Sequence, residues 1–172
     1  MQTTDPQDEL FDIVDRHDRV IGKARRREVH RNKNLIHRSI DVAVFNKRGE
    51  LFLQQRSVTK DTDPLKWTIS CTGHVLSGDT YHSAAQRELC EELGITKIRL
   101  KFLDKYIVRN KEETEMTSFY KAKASGPFRL NLQEIKQGKF FGREQLMEEM
   151  KRGRLKVTLS AKVALEKLDW IL

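Results

Sequence analysis

Three glutamates stand in the run Arg87-Glu88-Leu89-Cys90-Glu91-Glu92-Leu93-Gly94-Ile95, with Glu88 three residues from Glu91 and four from Glu92. On a helix, residues three and four apart share a face, so the three carboxylates converge within about two turns. Like charges so placed repel by a few tenths of a kcal/mol per pair, roughly 0.2–0.5, and a divalent cation reverses that cost. Oxygen donors of this kind suit Mg²⁺ or Mn²⁺, and these ions suit phosphate oxygens. The plainer alternative is a solvated helix face on which Arg87 and Glu91, four apart, form a surface ion pair. A glycine-bearing stretch, Gly73-His74-Val75-Leu76-Ser77-Gly78-Asp79, precedes the cluster and reads as a loop that brings backbone carbonyls to the carboxylates.

The spacing Gly73, five residues, Asp79, seven residues, then Arg87-Glu88-Leu89-Cys90-Glu91-Glu92-Leu93-Gly94-Ile95 resembles the Nudix box. Asp79 stands where the family has its first Glu, a shorter reach that alters pairing with Arg87. The resemblance implies a hydrolase in which water attacks phosphorus and breaks a phosphoanhydride of a small-molecule diphosphate. It implies an α/β (α+β) fold with a mixed β-sheet between helices, and Mg²⁺, with Mn²⁺ as a second choice. It assigns Glu88, Glu91 and Glu92 as metal carboxylates and catalytic residues, Gly73 as a carbonyl donor, and Arg87 as the group that orients a box glutamate. The general base stays open among the box glutamates, Glu115 and Glu134. A homodimer is compatible with the family.

Outside the box, from about Phe11 to Phe141, the chain is similar to the isopentenyl-diphosphate isomerase branch of that superfamily. His30, His37, His74, Glu113 and Glu115 match that branch's metal-binding positions. Arg56 and Lys60, followed by Pro64 and Trp67, match its diphosphate-contacting loop, and a forked and a point charge suit a diphosphate. Each residue also has an ordinary reading: surface histidines in a basic stretch, and a charged hairpin at 110–115. The branch has a cysteine directly before the box glycine, whereas this chain has Thr72 there and Cys71 one place earlier. On a strand a one-residue slip turns a side chain to the other face, so Cys71 is expected to be a buried apolar residue. Hydrolysis is the leading reading and isomerisation of isopentenyl diphosphate the alternative.

To position these residues, the sequence predicts strands at 11–14, 20–22, 40–45, 51–55, 67–70, 98–107, 114–123 and 135–141. Residues 40–45 and 51–55 read as a hairpin around the turn at 46–49. Helices are expected over 79–93, capped by Gly94, and over 143–150 and 160–171, with one or two helical turns at 25–30. One Nudix domain is expected over 1–172, with its core at about 36–168 and a short β/helical extension at 9–35.

Of 172 residues, 38% are hydrophobic, enough for one core, yet no apolar run nears the roughly 18 that a membrane span needs. The start, Met1 to Glu9, is polar and acidic and lacks the features of a secretory signal. With only Cys71 and Cys90, reduced thiols and a cytoplasmic location are the expectation. A net charge of +8 favours anionic partners. Basic runs at 23–27 and 151–154 permit a nucleic-acid-binding module, but no aromatics interleave with them as a base-stacking platform needs. Tyr106, Phe140, Phe141 and Trp170 are candidates to stack on a substrate, and their commoner role is core.

Overall fold

The computed structural model describes residues 5–172, so the first four residues of the polar start lie outside the described residues. The chain opens with β1 (Leu10–Val14), β2 (Val20–Arg25) and a single helical turn, α1 (Arg26–Val29). Next come β3 (Ile36–Phe45), β4 (Leu51–Arg56), β5 (Trp67–Ile69) and β6 (Cys71–His74), then the helix α2 (Tyr81–Leu93). The remainder is β7 (Lys101–Arg109), β8 (Thr114–Lys123), β9 (Ile135–Phe141), α3 (Arg143–Lys151) and α4 (Leu159–Lys167). No helix among the described residues is long and apolar enough to cross a membrane.

β3 organises the mixed sheet. It runs parallel to β8 from Ile36 opposite Thr114 to Phe45 opposite Lys123. Its other edge pairs antiparallel with β1 at Ile36 and His37, and with β6 from Ser39 to Val42. Because side chains alternate along a strand, Ile40, Val42 and Val44 face α2 and pack with Ala84, Ala85, Leu89 and Leu93. Ala43 and Phe45 face the opposite way, toward Leu146 of α3 and Ala164 and Leu165 of α4. The sheet thus lies between helices, as expected.

Three local expectations need correction. The predicted hairpin is only a corner, since β3 and β4 pair at Phe45 and Leu51 alone. Residues 39–45 and 51–54 are buried on both faces, so each strand needs a ladder on both edges. They diverge to find those ladders, and β4 pairs with β5 and β9 instead. Second, Gly73 lies in strand β6 rather than in a loop. A Cβ at Gly73 would run into the Glu88 carboxyl, so the glycine serves close approach of α2 to the sheet. Third, the last helix stops at Lys167 with Leu168 as its C-cap, and Asp169 follows in the left-handed region at φ 56°.

The box helix begins after Thr80, whose hydroxyl accepts from the Ser83 amide at 3.0 Å. It ends at Gly94, φ 67°, whose amide bonds back into the last turn. Gly94→Ala forces a β-carbon into that left-handed cap beside Arg129. We expect a loss of about 1–2 kcal/mol, read as a lower urea midpoint at unchanged slope; an unaltered midpoint would remove the cap from the argument.

Candidate active site

The box residues meet at one concave pocket of about 230 Å³ that Gly73, Arg87, Glu88, Glu91, Glu92, Arg56 and Lys60 all border. The three glutamates are not equivalent. Glu92 is buried, and its Oε2 accepts from Gln54 Nε2 at 2.7 Å. Glu88 is almost covered, whereas the Glu91 side chain is 55% exposed at the rim. Arg87 joins them: its Nη1 donates to Glu88 Oε1 at 2.7 Å and Glu91 Oε2 at 3.2 Å, and its Nη2 donates to the His74 carbonyl at 2.9 Å. The guanidinium therefore ties the box helix to β6. Asp79 Oδ2 lies 3.9 Å from Arg87 Nε, and that buried N–H makes no hydrogen bond. The shorter carboxylate falls short, as the departure from Glu suggested.

Burial, joined by the charge of Glu92, pushes the Glu88 carboxyl up to about 8. Burial also raises Glu92 to about 7 despite the hydrogen bonds from Cys71 and Gln54. Arg87 and Lys60 do not offset the burial of these two groups, so further positive charge is what would lower them, the electrostatic condition for a cation site.

On the other face of β3 and β6, alternation gathers the second set. His37, Ser39 and Asp41 point the same way as Thr72 and His74 of β6, and Glu113 and Glu115 approach from the start of β8. Donor atoms of His30, His37, His74 and Glu113 lie within 4.8 Å of one another. His30 Nε2 is 2.8 Å, His37 Nε2 3.3 Å and His74 Nε2 3.6 Å from Glu113 Oε2, and His74 Nε2 is also 3.6 Å from Glu115 Oε1. Yet His30 Nε2, both His37 nitrogens and Glu113 Oε2 are buried without a well-aligned hydrogen bond. They aim at a shared centre rather than at one another, and imidazoles with a carboxylate fit a divalent transition metal such as Mn²⁺ better than Mg²⁺.

Protonation follows the surroundings. Burial lowers His37 and takes His74 down to about 3, with the charge of Arg26 adding to the effect, so both rings are neutral. Burial opposes a charge on His30 as well, but Asp61 and Glu113 outweigh it and raise that ring to about 9. Burial followed by the charges of Glu113 and Asp41 holds Glu115 well above the usual carboxylate range. Arg26 Nη1 lies 3.0 Å from His74 Nδ1. A guanidinium only donates, so Nδ1 accepts and the ring proton sits on Nε2. His37 and Glu113 thus present lone pairs to the centre, whereas His30, raised to about 9, offers one only after losing its proton, and His74 only after Arg26 releases Nδ1 and the ring proton moves there.

The diphosphate pair is less free than the sequence suggests. Arg56 donates from Nε and Nη2 to the carbonyl and hydroxyl of Thr62, each at 3.0 Å, which braces the loop after β4. Lys60 Nζ is held between Asp5 and Glu134. Asp5, Arg26, Asp41 and Asp61 are site residues that the sequence reading passed over. Arg26 sat inside an apparent surface charge run, yet it is 5% exposed and paired with Asp5, Glu9 and Asp61. Its spacing of four from His30 was the available signal. Arg152 and Arg154 of the second run pair with Glu148 and Glu149, so neither run is a bare cationic patch. Tyr106, Phe141 and Trp170 pack in the core toward α3 and α4 and Phe140 in the core under α2, where Cys71 is fully buried.

Two predictions follow from these contacts. Asp79→Glu extends the carboxylate to the orphaned Arg87 Nε and is expected to raise stability by about 0.5–1.5 kcal/mol; an unchanged thermal midpoint would show that this nitrogen is satisfied otherwise. Asp41, raised by burial to about 6, accepts from both Tyr106 and Ser160. A carboxyl raised on folding contributes stability below its unfolded value of about 4, and that stability is lost as pH rises through about 6. Asp41→Asn keeps an oxygen for both donors, so its advantage over the wild type should grow from about pH 4 to pH 6 and level off at no more than about 3 kcal/mol. Urea midpoints across that range check it, and a pH-independent difference would contradict a buried charge.

Comparison with known proteins bears on the family and the fold. The model of the NUDIX domain matches residues 35–161. A protein of Pseudomonas aeruginosa described as an uncharacterized Nudix hydrolase is 33% identical over 141 residues, 82% of this chain and 83% of the relative. Isopentenyl-diphosphate Delta-isomerase 2 of Photorhabdus laumondii is 41% identical over 87 residues, 51% of this chain; the match spans about half the length of that isomerase, 49%. In fold, a crystal structure from Deinococcus radiodurans superposes with a TM-score of 0.78 at 23% identity, covering 90% of this chain and 96% of that one. A MutT protein from Methanosarcina mazei gives 0.66 at 19% identity, covering 78% and 93%. The chain is a member of the Nudix family.

Proposed function

We propose that this protein is a divalent-metal-dependent hydrolase that cleaves the phosphoanhydride of a small-molecule diphosphate. The observation that carries the reading is the convergence of Glu88 and Glu92, whose carboxyls burial raises, with Arg56 and Lys60 on one pocket. In this reading Glu88, Glu91, Glu92 and the Gly73 carbonyl hold Mg²⁺, while His30, His37, His74, Glu113 and Glu115 form a second, Mn²⁺-suited set. Such a cation, when bound, neutralises charge on the transferred phosphoryl group and acidifies a coordinated water.

The chain's own groups do the rest. Arg87 keeps the box carboxylates in place through its bond to the His74 carbonyl. Arg56, and Lys60 once it leaves Asp5, bind the terminal phosphate oxygens. Water oxygen forms the new bond to phosphorus, the bridging P–O bond breaks, and the water proton passes to a carboxylate of the pocket wall, where Glu88, Glu91, Glu92, Glu115 and Glu134 stand.

Isomerisation is the second reading, favoured by one observation: Glu115 is held protonated beside the histidine cluster, as an acid that protonates an alkene must be. Cys71 counts against it. Register puts Cys71 opposite Val42 on the α2 face and Thr72 opposite Asp41 on the histidine face, and Thr72 is no acid.

Glu88→Gln and Glu92→Gln should each lower metal-dependent hydrolysis by about two orders of magnitude or more with the fold retained, whereas Cys71→Ala should stay within about threefold of wild type. A product-resolved screen of diphosphates, isopentenyl diphosphate among them, decides the matter. Isomer formation without phosphate release would replace the hydrolase reading. Raised carboxyls bind protons that a cation must displace, so Mg²⁺ should raise the thermal midpoint more at about pH 8.5 than at about pH 6; an equal shift would place the ion away from Glu88 and Glu92.

A further inference from the structure

The same pocket extends past the carboxylates along β3, between β6 and the first turn of α4, and its wall there is hydroxylic. Asp41 of β3 stands directly opposite Thr72 of β6, on the face that also carries Ser39 and His74. Asp41 is 2% exposed. Both of its donors, the Tyr106 hydroxyl at 2.8 Å and the Ser160 hydroxyl at 2.7 Å, reach the same oxygen, Oδ2. Its Oδ1 makes no hydrogen bond among the described residues, nor does the Thr72 hydroxyl beside it. Thr68 and Thr158, bonded to each other at 3.2 Å, continue the same wall.

Three features of this end of the pocket narrow what it holds. No Phe, Tyr or Trp ring face lines it, since Tyr106 reaches Asp41 only with its hydroxyl and the other candidate stacking residues are spent in the core. At about 230 Å³ for the whole pocket, it is smaller than the roughly 300–1,000 Å³ of drug-sized sites, so beside a diphosphate it encloses only a small group, and anything larger extends through its open mouth. And a buried carboxylate oxygen with unused accepting capacity is left unpaired by a hydrocarbon but satisfied by a hydroxyl. A hydroxyl also accepts from Thr72 while donating to Asp41, which an ammonium does not; Arg26 and Lys60 already supply the cations of the pocket.

We infer that the moiety attached to the diphosphate is a small polyhydroxylated alcohol, whose hydroxyl groups are read by Asp41 and Thr72, and not a prenyl chain or a stacked nucleobase. The inference rests on the diphosphate reading above and specifies its substrate class. A site built to pair a hydroxyl rejects an analogue lacking it by large factors, up to about 10⁴–10⁵.

The test uses non-hydrolysable probes, the methylenebisphosphonate monoesters of erythritol and of isopentenyl alcohol, titrated calorimetrically into the full chain with Mg²⁺. The erythritol compound should bind at least about 100-fold more tightly. Thr72→Val, which preserves shape, should cut that margin about tenfold, and Asp41→Asn, which keeps an acceptor oxygen, should preserve more of it than Asp41→Val. Circular dichroism confirms that each variant is folded. Equal affinities, tighter binding of the isopentenyl compound, or no binding of either overturns the inference. Because neither probe turns over, a polyol preference without hydrolysis of the corresponding diphosphates would sink the hydrolase reading while leaving this one standing.

Discussion

The alternation of side chains along one buried strand is the constraint on which the rest of this structure depends. β3 has neighbours on both edges and helices on both faces, so every residue from Ser39 to Phe45 is committed to a side. Even-numbered residues build the core under the box helix. Odd-numbered residues begin as histidine and serine, pass through aspartate, and end as the alanine and phenylalanine of the second core. One strand thus supplies a core on one face and, on the other, a gradient from ligand to hydrocarbon. The same parity explains why a cysteine displaced by one residue falls out of the histidine site.

Charge sets the second constraint. The pocket gathers many carboxylates behind few cations, and the structure handles the excess in two ways. Arginine forks absorb part of it, Arg87 near the rim for Glu91 and one oxygen of Glu88, and buried Arg26 for Asp5, Glu9 and Asp61. Elsewhere burial outweighs whatever positive charge is near, so Glu88, despite Arg87, and Glu92, Glu115 and Asp41 all retain protons more tightly than exposed carboxyls do. The imbalance is what a cation relieves, and it makes ion binding and proton release one event.

Much of this was legible in the sequence, for identifiable reasons. Strands 114–123 and 135–141 and the box helix carry strong local patterns; the strands form where those patterns predict, and the helix begins two residues later than position 79, after the Thr80 cap. The histidine–glutamate cluster was visible only through resemblance, because His30, His37, His74 and Glu113 share no local period and meet through tertiary pairing. What stayed hidden had the same cause. The strand at Cys71–His74 has a glycine and few β-branched residues and exists because β3 offers it an edge. Arg26 looks like one member of a solvated basic run until α1 turns it inward, and Asp41 looks like a polar interruption of an apolar strand until Tyr106 and Ser160 close on it.

The parallel pairing of β3 with β8 joins residues 36–45 to residues 114–123, and it bears on how the protein comes off the ribosome. A ladder between segments so distant in sequence forms slowly, because the intervening loop must close first. Glu113 lies at the start of the late partner, so a nascent chain displays three histidines before the carboxylate that completes their cluster has been synthesised. In the metal reading proposed above, capture by the full cluster therefore waits until β8 has been synthesised and docked on β3.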